Sequence, residues 1–110
     1  MLVNSVENYF ETLPQRFVAS AAKGVKAVLQ FELAGDDGGT YHITVDDGTM
    51  SYAKGPSEAP STTIKMKAED YIKMVNGQLS GTMAFMKGQM KVAGNVILAQ
   101  KLQAIFPPHK

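Results

Sequence analysis

Ala27-Val28-Leu29-Gln30-Phe31-Glu32-Leu33 and Tyr41-His42-Ile43-Thr44-Val45-Asp46-Asp47-Gly48-Thr49-Met50-Ser51-Tyr52 decide the fold. In the first run Ala27, Leu29, Phe31 and Leu33 alternate with Val28, Gln30 and Glu32. In the second, Tyr41, Ile43, Val45, Met50 and Tyr52 alternate with polar neighbours on either side of Asp47-Gly48. A period of two marks half-buried strands, and Asp-Gly between alternating runs marks a two-residue type I′ hairpin. That turn sets Asp46 opposite Thr49, Val45 opposite Met50 and Ile43 opposite Tyr52, so apolar meets apolar across the pair. The longer connection Gly35-Asp36-Asp37-Gly38-Gly39 joins the first two strands, and pairing Leu33 with Tyr41 also aligns Phe31 with Ile43 and Leu29 with Val45. The expectation is a three-stranded meander.

Beyond it, Gly55-Pro56-Ser57-Glu58-Ala59-Pro60-Ser61 is a link with two prolines, which a central strand does not tolerate. Thr62, Ile64 and Met66 form a fourth alternating strand. Residues 68–76 read as a short helix with Glu69 and Asp70 in its first turn, ended by Gly77. Ser80 caps a second helix through Lys87, ended by Gly88. Met90 and Val92 around Lys91 make a brief fifth strand, and Asn95 caps a last helix to about Ile105, closed by Pro107-Pro108. Upstream, Val6, Phe10, Leu13, Phe17 and Ala21 form a helical stripe that Pro14 interrupts, giving a helix over about 3–12 and further turns to Gly24.

The outward strand positions are polar, among them Gln30, Glu32, His42, Thr44, Thr63, Lys65, Lys67 and Lys91. A sheet with one wet face must receive all its helices on the other. The fold class is therefore α+β: a five-stranded, mainly antiparallel sheet with every helix on one face, in a single domain over 1–110.

Composition bounds the function. The 110 residues hold 11 Lys plus Arg against 10 Asp plus Glu, a formal charge of +1, too balanced for a protein that grips a phosphate backbone, so no nucleic acid is expected. There is no cysteine, which removes disulfides, thiolate catalysis and sulfur-based zinc sites. The N-terminus lacks a secretory signal pattern and no run is long enough to span a membrane, so the expected location is cytoplasmic. Of the two histidines, His42 lies on the wet face and His109 in the tail. A Ser51-His42-Asp46 triad fails on geometry, since Asp46 is four residues along the same strand, on the order of 13 Å away. No spacing suits a metal, a calcium loop or a dinucleotide loop. Catalytic residues, metal and cofactor are thus all expected to be absent. Lys65, Lys67 and Lys91 share the wet face with Glu32 and Asp46, which fits a solvated surface better than an anion-binding one.

Methionine stands out. Met66, Met74, Met83, Met86 and Met90 fall within 25 residues. Such residues usually fill gaps in a core, yet an unbranched, polarizable side chain also suits a surface that repacks around apolar partners of varied shape. The last helix adds to this: Leu98, Leu102, Ile105 and Phe106 form its main stripe with Ala99 beside them, while Val96 and Ile97 fall elsewhere on the wheel. Apolar groups on two sides call for a sheet on one and a ligand or partner on the other.

The chain resembles the sterol carrier protein 2 family. The resemblance is carried by Leu13-Pro14-Gln15-Arg16-Phe17, by Ala27 to Leu33, by Val45-Asp46-Asp47-Gly48, and above all by an ordered series that begins at Ala68-Glu69-Asp70-Tyr71. That series continues through Asn76-Gly77-Gln78-Leu79, Ala84-Phe85-Met86-Lys87-Gly88-Gln89-Met90-Lys91-Val92 and Gly94-Asn95 to Leu98-Ala99-Gln100-Lys101-Leu102-Gln103. It covers about residues 5–106. The chain departs from family habit with Ser80-Gly81 for an Asn-Pro and Tyr41 for a Trp. Its end, Pro108-His109-Lys110, differs from a peroxisomal tripeptide, and points to a cytoplasmic, stand-alone bacterial type.

The resemblance implies an apolar tunnel between sheet and helices, lined by Phe17, Met66, Tyr71, Met74, Met83, Met86, Met90, Leu98, Leu102, Ile105 and Phe106. It implies non-catalytic binding and transfer of fatty acids, fatty acyl-CoA, sterols or isoprenoid-like lipids, with transient membrane contact. The alternative is an accessory protein that docks onto an enzyme of lipid or quinone metabolism through the same groove.

Overall fold

The alternating runs pair into one sheet in a computed structural model that describes residues 5–35 and 38–106, the side chains of 102 and 103 excepted. The strands are β1 (Lys26–Ala34), β2 (Gly39–Asp46), β3 (Thr49–Lys54), β4 (Thr62–Lys67) and β5 (Met90–Gly94), and the helices α1 (Val6–Glu11), α2 (Leu13–Arg16), α3 (Ala68–Val75), α4 (Gly81–Met86) and α5 (Val96–Ile105). Strand order is β3-β2-β1-β4-β5. Only β1 and β4 run parallel; the other three pairs are antiparallel. The alternate side chains Leu29, Phe31, Ile43, Val45 and Ile64 are buried on the helical face.

The β2–β3 hairpin has the expected register, with Asp46 opposite Thr49 and Ile43 opposite Tyr52. Asp47 and Gly48 both take positive φ, 46° and 90°, as a type I′ turn requires. The first hairpin differs. Leu33 pairs with Gly39, Phe31 with Tyr41 and Leu29 with Ile43, a slip of two residues from the expected register. A two-residue slip leaves every side chain on its original face, so alternation alone cannot detect it. At the outer edge β3 is poorly covered: Met50 is half-buried and Tyr52 is 38% exposed, with the Phe10 ring of α1 at a centroid separation of 6.0 Å from it.

The outer face is also less open than its polarity suggests. The link after β3 must cross β2 and β1 to reach β4, and it does so over that face. The Gly55 amide donates to Thr40 O (2.7 Å), the Gly55 carbonyl lies 2.9 Å from His42 Nδ1, and the Ser57 amide donates to Gln30 Oε1 (2.9 Å). Gln30 is buried as a result. His42 thus helps hold a crossover.

Local signals place the helices. The Ser5 hydroxyl accepts from the Asn8 amide at 3.0 Å to start α1, and Pro14 sits in the first turn of α2, where its missing N–H costs nothing. Ser80 Oγ accepts from the Met83 amide at 3.3 Å and Asn95 Oδ1 from the Leu98 amide at 3.2 Å. The expected starts at residue 3, Asp36-Asp37, Pro107-Pro108 and His109 lie outside the described residues. An aromatic cluster fixes α1 and α3 to the sheet. Phe10 stacks on Tyr41 (centroids 4.1 Å, planes 9° apart), and Tyr71 meets Tyr9 and Phe31 edge-on at 5.2 and 5.6 Å.

Two predictions follow from this packing. Gly94, where β5 turns into α5, has φ +95°, and an added Cβ would lie 2.7 Å from the Ser61 carbonyl oxygen. Gly94→Ala should lower unfolding free energy by about 1–3 kcal/mol in denaturant titrations; an unchanged midpoint would refute this account of the junction. Burial holds the Tyr9 and Tyr71 hydroxyls above the ordinary phenol value, Tyr71 well above it, with Tyr9 adding to the rise at Tyr71. Stability should therefore be level up to about pH 10 and then fall, because the unfolded chain releases protons that the folded one keeps. The Tyr71 hydroxyl makes no hydrogen bond of good geometry among the described residues. Tyr71→Phe should thus leave the melting temperature at neutral pH unchanged or higher and make the alkaline decline shallower.

Candidate functional site

Five strands present a broad apolar face, and the helices do not tile it evenly. α1 and α3 cover β1 and its neighbours through the aromatic cluster, whereas β4 and β5 are roofed by α4 and α5, and α4 has only six residues. Of α4 only Ala84 is buried. A cavity of about 330 Å³ remains between these elements, lined by Ile64, Met74, Gly81, Thr82, Phe85, Met90, Val92, Val96, Ala99 and Gln100. That is at the lower end of the range for small-molecule sites, about 300–1,000 Å³.

The wall is apolar from both sides. Ile64, Met90 and Val92 rise from the sheet, Met74 comes from α3, and Phe85, Val96 and Ala99 come from the roof. Its polar members, Thr82 and Gln100, are uncharged and exposed. Phe85 and Val96 line the cavity yet are 47% and 39% exposed, which places them at its opening. Among the described residues no charged group enters the wall, so an ion would have to be desolvated there without compensation. An apolar body with a small polar end matches this lining.

The residues expected to line a tunnel are distributed more widely. Met74 and Met90 are in the wall. Met66, Tyr71, Ile105 and Phe106 are buried in the main core. Phe17 and Leu98 are half-buried against it, with Phe17 5.5 Å from the Phe106 ring. Met83 and Met86 are 45% and 74% exposed and lie outside the wall. Leu102 lies in α5, and its side chain is outside the described residues. The roof residues Val96, Ala99 and Phe85 and the sheet residues Ile64 and Val92 were not singled out from sequence as lining. The misfit of Val96 with the main stripe of its helix was the available signal, since Val96 faces the cavity.

A second, larger depression of about 810 Å³ opens at the ends of β1, β4 and β5, bordered by Glu32, Lys65, Lys67, Glu69, Asp70, Lys87 and Lys91 among others. Lys65 pairs with Glu32 at 3.7 Å. Mixed charge and wide opening make this a solvated surface rather than an apolar site. Among the described residues no group of His, Cys, Asp and Glu could hold a metal ion, and no helix is long and apolar enough to cross a membrane.

Residues 9–107 match the model of the SCP-2 sterol transfer family. The chain is 37% identical over 104 residues to Hydroxysteroid dehydrogenase-like protein 2 of Bos taurus, a stretch that covers 93% of this chain and 25% of that one. It thus spans about a quarter of the length of the curated relatives it matches. Among solved structures it is similar to the sterol carrier protein domain 2 of Helicoverpa armigera (TM-score 0.73, 23% identity, 94% of this chain and 90% of that one). It is also similar to part of a double mutant of the sec-alkyl sulfatase PisA1 (TM-score 0.84, 15% identity, 97% of this chain and 17% of that one). At these identities the structural likeness bears on the fold.

Proposed function

The chain belongs to the SCP-2 sterol transfer family, and we propose that it binds one apolar lipid, a fatty acid, fatty acyl-CoA, sterol-like or isoprenoid-like molecule, and transfers or presents it without catalysis. The observation that carries this reading is the uncharged cavity between α4, α5 and the β4–β5 edge. Burying some 300 Å² of ligand surface there is worth roughly 7 kcal/mol before ordering costs, a term that suits micromolar affinity and loose selection. Met74 and Met90 in the wall favour loose selection further, because their side chains refit to different shapes.

The tunnel expected from the resemblance is proposed here in a shorter form, centred on Met74 and Met90, with Ile64, Phe85, Val92, Val96 and Ala99 added to the lining. Met66, Tyr71, Ile105 and Phe106 support the wall from the core. A second reading, an accessory domain that docks onto an enzyme, is favoured by the relatives named dehydrogenase-like, of which a stretch like this chain forms only a part. Their activity is not carried over to this chain.

Native mass spectrometry of the purified protein should show co-purified lipid, and the delipidated protein should rebind a fluorescent fatty acid. Protein that arrives empty, with no lipid able to displace an apolar dye, would sink the carrier reading and favour docking. Site-directed variants locate the pocket. Ala99→Trp should fill the cavity, keep the melting temperature close to that of the parent and weaken fatty-acid binding at least about tenfold. Ile43 is fully buried in the packed core, so Ile43→Trp should cost about 1–3 kcal/mol of stability through strain. If both variants lose stability alike, the space between α4 and α5 is ordinary core.

A further inference from the structure

Among the described residues one exposed large hydrophobic side chain lies apart from those of α4 and α5: Tyr52 of β3, at the far edge of the sheet. All of β3 is exposed except the half-buried Met50. Thr49 to Lys54 keep an unbroken register with β2, with no glycine or proline and a single charge, Lys54. Gly55, with φ 108°, then turns the chain away from the edge and onto the outer face. The Gly55 amide bonds to Thr40 O, and hydrogen-bonded pairs alternate along an antiparallel ladder, so Thr49, Ser51 and Ala53 direct their backbone groups at β2. Those of Met50, Tyr52 and Lys54 face the open edge. A straight edge without a proline, a bulge or inward charges is a template for another strand. The opposite edge is different: β5 is shorter, carries Lys91 and has both α4 and α5 packed on it.

The strand that fits this edge is β3 itself. In an antiparallel pair with Ser51 on a two-fold axis perpendicular to the sheet, Met50 stands opposite Tyr52 of the second copy, and Tyr52 opposite its Met50. Both residues face the edge, so each such pair exchanges two backbone hydrogen bonds. On the inner side a thioether then meets an aromatic ring, a favourable contact. Lys54 falls opposite Gly48 of the second copy, beside its exposed Asp46-Asp47 turn, so opposite charges meet at both ends of the pair. One Asp47 carboxylate oxygen accepts from the Gly24 amide at 2.7 Å, which holds that turn in place. With Tyr52 on the axis instead, Met50 would face the Lys54 ammonium. Apolar pairing therefore selects the axis at Ser51.

We propose that two copies of this chain associate through β3, edge to edge, merging their five-stranded sheets into one continuous sheet. The interface is isologous and closes on itself, since it uses the β3 edge of both copies. Inner residues oppose inner residues, so both helical layers lie on the same side. Met50 and Tyr52 gain from the second copy the cover that α1 does not supply. The cavities lie at the two far ends of the merged sheet, with their openings free, and the pairing does not depend on what they hold. A contact of one short strand from each copy belongs to the small, weak class of interfaces, so the dimer is concentration-dependent.

Sedimentation equilibrium of the whole protein from about 10 µM to about 1 mM should show a monomer passing into a dimer. Ser51 is exposed and stands on the axis, so Ser51→Lys sets two like charges directly opposite each other and should weaken the dimer at least about fivefold. Ser51→Glu should do the same, and an equimolar mixture of the two variants should associate at least as well as the parent. The chain has no cysteine, so Ser51→Cys introduces a single thiol. As a pair without mutual hydrogen bonds, the two Cα atoms lie close enough for a disulfide. Mild oxidation should therefore cross-link Ser51→Cys at concentrations where Lys65→Cys, exposed on the outer face of β4, stays monomeric. Amide exchange at Met50 and Tyr52 should slow as concentration rises. Circular dichroism melts check that each variant is folded, and the cross-linking and exchange measurements need no charge change. A protein that stays monomeric up to about 1 mM overturns the proposal. So does a dimer that Ser51→Lys leaves intact, a mixture of charge variants that does not recover, equal cross-linking of Lys65→Cys, or exchange at Met50 and Tyr52 that ignores concentration.

Discussion

A sheet buried on one face only is the constraint on which the rest depends. The outer positions of β1, β2 and β4 are mostly polar, and the crossover that reaches β4 hydrogen-bonds on that side to backbone groups, His42 and Gln30. Every helix must therefore cover the inner face. Five strands about 4.8 Å apart need roughly two helix widths of cover, at about 10 Å each. α1 and α3 meet this over the central strands with rings that interlock. Over β4 and β5 the cover is α5 and the six-residue α4, whose first residue Gly81 and the following Gly88 contribute no side chain. The cavity lies where the cover is thinnest.

The parallel pairing of β1 with β4 has a second consequence. It sends the chain from the β3 edge across the outer face and makes β4 both a central strand and a wall of the cavity. Ile64, fully buried, stands at this junction: it belongs to the core and to the cavity lining. Core packing and the cavity wall thus share a side chain, so anything that filled the cavity would lie directly on the structural core.

How much of this was legible in the sequence depends on what each signal measures. Period two reports the face of a strand, and it gave the α+β layer and all five strands; it is blind to a slip of two, hence the shifted pairing of Leu33 with Gly39. Caps report helix ends, and Ser80, Asn95, Gly77 and Gly88 marked theirs. Strand order, set by the crossover, left no local trace beyond two prolines. The clustered methionines were visible as a composition, but a six-residue helix has too few turns for its buried side to be read. Met83 and Met86 are exposed while Ala84 between them is buried. Val96 was legible because α5 is long enough for an off-stripe residue to show.

The thin roof also bears on exchange. Local opening costs least where least apolar surface becomes exposed. α1 and α3 are tied down by Tyr9, Phe10 and Tyr71, all buried, and parting them from the sheet would expose several rings at once. α4 contributes a single buried side chain, Ala84, and is bounded by the Ser80 cap and by Gly88 with φ 79°. Of its own side chains, displacement would uncover one methyl and the inner side of Phe85, a ring already 47% exposed. The helix that borders the opening thus holds to the fold by few buried groups of its own, apart from the aromatic core.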